Sequence, residues 1–386
     1  MKQVAFYLLA HQPRRLRLPT PDLTGLPVGA MLEAAHDDAM NRRYLEQAAE
    51  RAYRPVLAML RESGWPASVA VTDNLLWQAR RWAPDLAPQF SQLPATVERV
   101  GTAPRHGFLF LLDPAAFRRA MRRERGRVTD TTEMWLSGEV AQALRRAGCL
   151  AALADQSPEL GVPEGQPLVR SLVGLPILLR HRRLSDDVGY RFSDRNWTGW
   201  PLTADGFARR LREAPGEVGL VGWDMETFGE HHQQDGRILE FLYRLPLALE
   251  RAGVETVGAS AIIRPGPELS LDGPVTWAGT GNTAVFFGNR AQKAVWQLLE
   301  AIWSLAASPR LKDAALWFSQ SDAFHMLHWT EATGSLADVS AYFTPEPWRQ
   351  DGGAAFSAQV VAAYTAVRDW FRTETAEGGP SRSPGR

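Results

Sequence analysis

Two carboxylates hold the positions from which this chain could do chemistry. Asp224 closes the apolar run Leu220 to Trp223, and Glu133 follows a short polar, strand-like segment much earlier in the sequence. Ionisable side chains are costly to bury unless paired, so a cluster of them one turn past an apolar run points to a working pocket. Two carboxyl groups facing each other across a glycosidic bond are the apparatus of glycoside cleavage, one as nucleophile and one as acid/base. The first must be ionised while the second keeps its proton, which mutual repulsion and a poorly solvated pocket accomplish. A gap of about 5–5.5 Å gives retention of configuration, and a wider one admits the water used in inversion. Taken singly, each acid is also compatible with a rim salt bridge or a helix cap.

The stretch from Leu220 to His232, LVGWDMETFGEHH, adds Glu226, Glu230, His231 and His232 beside Asp224. Together with His11 these include residue types that bind zinc, so a metal-dependent hydrolase is a rival reading. Their spacing is not that of a metal site, since neither HExxH nor HxH occurs and adjacent histidines usually point apart. His11, His231 and His325 read better as hydrogen-bonding a sugar hydroxyl or a catalytic carboxylate, with no metal expected. GxGxxG, Walker A and GxSxG sequences are all missing, so no nucleotide cofactor and no nucleophilic serine is expected.

The elements that must position these groups alternate between strand and helix. Strands are read at 3–10 (QVAFYLLA, with His11-Gln12-Pro13 at its end), 65–73, 172–181, 217–224 and 255–263, and 106–113 (HGFLFLLD) as a strand or partly buried apolar segment. Pro55 marks a helix start or kink. Ser137 is the natural N-cap of a helix whose apolar stripe is Val140, Leu144 and Ala147. Residues 14–31 and 151–175 read as loops, and 181–201 as a long polar and aromatic loop of the kind that lines a site. From 283 to 309 and from 355 to 372 the pattern is helical. Strand–helix alternation with polar strand ends is the pattern of a barrel or an open α/β sheet, with seven strands fitting as well as eight. In a barrel, His11, Glu133 and Asp224 converge on one mouth despite their separation.

Composition narrows the partner. The 386 residues carry 43 basic and 43 acidic side chains, so no long-range field draws the chain to nucleic acid or anionic membrane, and an uncharged substrate is the easy match. The single Cys149 excludes an internal disulfide and argues against a thiolate metal site. No stretch reaches the roughly 18 apolar residues of a spanning helix, and the apolar run near the start is short for a signal peptide, so a cytoplasmic location is expected. Fourteen tryptophans are many for this length, and indole faces stack on the C–H faces of sugar rings as readily as they fill cores. Oligomeric state is not legible.

Five ordered segments carry a family resemblance: Ala10-His11-Gln12-Pro13; Val97-Glu98 followed by His106; Thr132-Glu133-Met134-Trp135; Asp224 through His231; and Ser319-Gln320-Ser321-Asp322 followed by His325-Met326. Leu184-Ser185-Asp186-Asp187, Tyr190-Arg191-Phe192 and Trp197 add to it. In these segments the chain resembles glycoside hydrolase family 57, the α-amylase and 4-α-glucanotransferase group. The resemblance implies an incomplete (β/α)7 barrel at 1–275, a C-terminal helical domain at 276–373 that contributes to the site, and a tail at 374–386, which its composition marks as disordered. It implies a retaining mechanism on an α-glucan or maltooligosaccharide, without catalytic metal or other cofactor. Glu133 inherits the role of nucleophile and Asp224 that of acid/base. His11, Gln12, Glu226, His231, Asp322 and His325 are candidates to grip hydroxyls or orient the carboxylates, and Trp135, Trp197 and Trp223 to stack on sugar. The second motif is eroded, Thr131 replaces the family's asparagine, and Val275-Thr276-Trp277-Ala278 runs into a divergent stretch. These departures motivate one further alternative, a carbohydrate-binding or regulatory homologue without turnover, beside the metal-dependent deacetylase-like hydrolase.

Overall fold

The computed structural model describes residues 1–124, 127–232, 237–331, 344–350 and 352–377. They form two compact units. The first takes Met1–Gln12, Arg42–His106 and Asp113–Asn282, and the second Pro13–Asn41, Gly107–Leu112 and Thr283–Arg386. The chain therefore passes between units several times, where the sequence reading places one boundary at 275.

The first unit is built on nine strands among the described residues: β1 (Gln3–Ala10), β2 (Ala67–Val71), β3 (Val97–Thr102), β4 (Val128–Asp130), β5 (Ala151–Asp155), β6 (Val169–Leu172), β7 (Leu175–Arg180), β8 (Val218–Asp224) and β9 (Glu255–Val257). Seven run parallel in the order β2-β3-β4-β5-β7-β8-β1, and pairing of β1 with β2 closes the ring. β6 lies antiparallel on β7, and β9 pairs with the first residues of β1. This is the incomplete (β/α)7 barrel, with helices around it. β1 shows why the ring forms. Every residue after Gln3 is buried, as a strand covered on both faces requires. Its Gln3–Leu9 segment pairs with β8, and Tyr7–Ala10 pairs with β2. The alternate residues Ala5, Tyr7 and Leu9 join Ala70, Val100, Met134, Leu153, Leu178 and Leu220 in one core cluster, the inward-pointing set of a packed small barrel.

Several local readings hold. Ser137 Oγ accepts from the Val140 amide at 3.3 Å, and Val140 and Leu144 are buried on helix Gly138–Ala147 together with Ala141, whereas Ala147 is half-buried. Pro55 sits in the first turn of helix Arg54–Ser63, directly after a π-helical turn at Ala49–Tyr53. Others do not. HGFLFLLD is a partly buried apolar segment and not a strand: a 3-10 turn ends at His106 and Leu109–Leu112 is helical, while the strand lies just upstream as β3. The supposed loop at 151–175 contains β5 and β6. Alanine-rich AALAD carries little β-propensity of its own and becomes a strand because both neighbours pair with it.

The second unit is helical. Helix Arg290–Leu305 opens on a capping box between Asn289 and Gln292 and packs on helix Gly352–Glu377. That helix covers residues 374–377, expected to be disordered; 378–386 lie outside the described residues. No helix among the described residues is long and apolar enough to cross a membrane.

Candidate active site

Glu133 follows β4 in a 3-10 turn, Thr132–Met134, with left-handed backbone at Glu133 (φ 60°) and Met134 (φ 50°). Consecutive non-glycine residues there are strained, and such strain persists where surrounding structure imposes it. Here the bracing is visible. Thr131 Oγ1 donates to the Trp135 carbonyl at 2.6 Å, and the Trp277 amide donates to the Glu133 carbonyl at 3.1 Å. The side chain is held as firmly: Trp277 Nε1 donates to Glu133 Oε2 at 2.7 Å, and His106 Nε2 lies 3.5 Å from Oε1. Trp277 is itself clamped. The Arg180 guanidinium sits 5.8 Å from its ring centroid, and Arg182 Nη1 donates to its carbonyl at 3.3 Å. Both arginines are fixed by Asp155, at 2.6 Å each.

Asp224 ends β8, as its apolar lead-in required. No protein group among the described residues donates a hydrogen bond to its carboxyl. Loss of water contact and then the neighbouring charge of Glu133 push it up to about 7, against the pull of His106 and Arg180. One carboxylate is thus ringed by donors and the other is left to keep its proton.

His11 stands at the end of β1. Its Nδ1 is 3.0 Å from Thr72 Oγ1, and its ring lies 4.3 Å from that of His106. Its amide donates to Glu226 Oε1 at 3.2 Å, and the Tyr53 hydroxyl, brought in by the π-helical turn, lies against the same oxygen. Gln12 Nε2 donates to Tyr53 at 3.0 Å. Gln12 and Glu226 are therefore buried behind His11, in a position to orient it. Burial and then Asp224 push the Glu226 carboxyl well above the usual range. Gly229, at φ 124°, packs directly on the π-helical turn, where a Cβ would fall 2.0 Å from the Arg51 carbonyl.

Of the three tryptophans expected to stack on sugar, Trp223 and Trp135 are buried and Trp197 is half-buried. Side chains alternate across a strand, so with Asp224 at the mouth Trp223 points to the helices. It packs on Phe6, Phe207 and Phe228, and its Nε1 donates to the Ser185 carbonyl at 2.8 Å. Trp135 is 3% exposed, and one side of Trp197 is covered by the Arg210 guanidinium at 4.9 Å. His231 is pushed down to about 4 by burial, so it stays neutral, while His232 is used structurally between Ser193 and Gly189. Asp322 and His325 belong to the second unit, in the short helix Asp322–His325, where Asp322 lines a cavity with Arg14, Trp317 and Tyr364. His106 and Trp277, which touch Glu133, had only a weak motif echo and a place in a divergent stretch to signal them. Among the described residues no group of three or more His, Cys, Asp or Glu is arranged to hold a metal ion.

Known proteins share this architecture. Among solved structures, a 4-α-glucanotransferase from Thermococcus litoralis superposes with a TM-score of 0.59 at 14% identity, over 84% of this chain and 56% of that one. A family 57-type branching enzyme from Pyrococcus horikoshii superposes with a TM-score of 0.56 at 13% identity, over 100% of this chain and 98% of its own. These likenesses show the fold. In sequence, a Methanocaldococcus jannaschii protein that bears the name α-amylase provisionally is 28% identical over 324 residues, covering 78% of this chain and 68% of that protein. Residues 5–271, well over half of the chain and including both carboxylates, match the family described as glycosyl hydrolase family 57. The chain belongs to glycosyl hydrolase family 57 and is an enzyme of that family.

Proposed function

We propose that this enzyme acts on α-glucans with retention of configuration, by hydrolysis or by 4-α-glucan transfer, with Glu133 as nucleophile and Asp224 as acid/base. One observation carries the reading: Glu133 is hydrogen-bonded by Trp277 and flanked by His106, whereas Asp224 has no donor among the described residues and is held near 7. In the first step the Asp224 hydroxyl gives its proton to the glycosidic oxygen while Glu133 attacks the anomeric carbon, forming a glycosyl ester. Asp224, now ionised, takes a proton from water or a sugar hydroxyl, whose oxygen displaces Glu133. His11 and His106, side by side beneath the mouth, can donate to sugar hydroxyls or steady the carboxylates. The names of the related proteins favour α-glucans, and the near-neutral charge of the chain suits an uncharged substrate. The test is product analysis on maltooligosaccharides, with anomers followed by proton NMR, for wild type beside Glu133→Gln. Shortened or redistributed α-anomeric products from wild type alone support the reading. Equal activity in the variant, or a β-anomeric first product, sinks it.

A further inference from the structure

The loop that brings Trp277 to Glu133 is tied down along its whole length. At its start Leu136 and Val275 exchange backbone hydrogen bonds of 2.8 and 2.9 Å, so it leaves from just beyond the turn that carries Glu133. After Trp277 the chain folds back on itself. The Thr276 amide donates to the Gly281 carbonyl at 2.6 Å, and the Thr276 hydroxyl donates to the Asn282 carbonyl at 3.0 Å. Gly281, at φ 106°, sits where a Cβ would fall 2.2 Å from Ser157 Oγ, so a side chain there would push the loop off the end of β5.

The far side of the loop rests on a buried charge cluster that the mechanism does not use. Asp155 ends β5 and pairs in register with Arg180, which ends β7. Its side chain is fully buried, with Oδ1 accepting from Arg180 Nη1 and Oδ2 from Arg182 Nη1, both at 2.6 Å. Burial raises this carboxyl and the two guanidiniums pull it back down; two short contacts, one to each oxygen, are the geometry of a carboxylate. Arg180 is locked further by the Gly222 carbonyl at 2.9 Å and by Asp186 Oδ1 at 2.8 Å. Arg182 donates to the carbonyls of both Trp277 and Gly279. A buried ion cluster adds little to stability over apolar side chains of equal volume. What this one supplies is a fixed place for the loop.

We propose that Asp155 is a positioning residue: through Arg180 and Arg182 it holds the Trp277 loop so that the indole N–H stays on Glu133. Its effect on turnover rests on Glu133 being the nucleophile, but its hold on the indole can be read without turnover. Protein labelled with ¹⁵N in its tryptophan indoles is followed by NMR, with Trp277→Phe identifying the Trp277 N–H, and exchange of that proton in deuterated water is timed. Asp155→Asn puts an amide N–H₂ against a guanidinium and is expected to speed this exchange about tenfold, as part of a hydrogen bond to a charged acceptor is lost. On maltooligosaccharides kcat should fall about tenfold with KM unchanged. Adding Asp155→Asn to Trp277→Phe should cost no further activity, because both changes act on one bond. An exchange rate unchanged in folded Asp155→Asn, or a double variant that suffers the product of the two single losses, overturns the proposal. Should Asp155→Asn fail to fold, Arg182→Met at its partly exposed position decides by the same readings. Faster Trp277 exchange in a protein whose Glu133→Gln variant stays fully active upholds the hold on the indole and counts against Glu133 as nucleophile instead.

Discussion

The ends of β4 and β8 carry the same functional group in opposite surroundings. At β4 the chain bends through two left-handed residues to present Glu133, and the Trp277 indole and the His106 ring face its oxygens. At β8 the strand simply ends, and Asp224 is left half-buried beside other acids. Donors favour the ionised carboxyl, while desolvation and like charge favour the neutral one. On the proposed mechanism, the difference in surroundings, rather than in side-chain type, divides the labour between nucleophile and acid.

Breaking either end should separate the roles. Glu133→Gln is expected to lower kcat on the order of 10⁴-fold for every substrate, including glycosyl fluorides, because no leaving group compensates for a missing nucleophile. Asp224→Asn should cost about 10²–10⁴-fold on maltooligosaccharides and far less on a glycosyl fluoride, whose departure needs no proton. Parallel rate measurements on the two substrate types check both. Trp277→Phe keeps the ring over Arg180 but removes the donor to Glu133, worth about 1.5–3 kcal/mol for a charged acceptor, so kcat/KM should fall roughly 10–100-fold. In wild type, kcat/KM should decline as pH rises through about 7, where Asp224 loses its proton. The same shift has a smaller effect on stability. A carboxyl raised from 3.8 to about 7 stabilises the fold below pH 4 and loses that contribution as pH rises to 7. Asp224→Asn should therefore leave Tm unchanged near pH 3.5 and raise it by about 2–4 °C at pH 8 in a calorimetric scan.

Asp224 was legible because an apolar run that stops abruptly in acids marks a buried strand opening into a polar cleft, and Glu133 because a short polar strand preceded it. The closed ring followed from strand–helix alternation. What could not be read were the partners. Trp277 reaches Glu133 from a Gly/Pro-rich stretch that shows no periodicity, and His106 gets there through a positive-φ turn that no residue type announces. VERVGT hid β3 because its charged residues break the apolar run. Trp223 was misplaced for a simpler reason: in a strand, the neighbour of a mouth residue faces the other way. Tyr7 looked like one more core residue in QVAFYLLA, and only the folded chain shows that its hydroxyl donates to Asp130.

The central claim is that Glu133 forms a covalent bond to the sugar. Incubation with 5-fluoro-α-glucosyl fluoride, which slows the second step more than the first, followed by peptide mass spectrometry, tests it directly. The account predicts a single glycosyl ester on Glu133 that disappears when a maltooligosaccharide acceptor is added. A label on Asp224, or turnover of the fluoride with inverted product and no label, would contradict it.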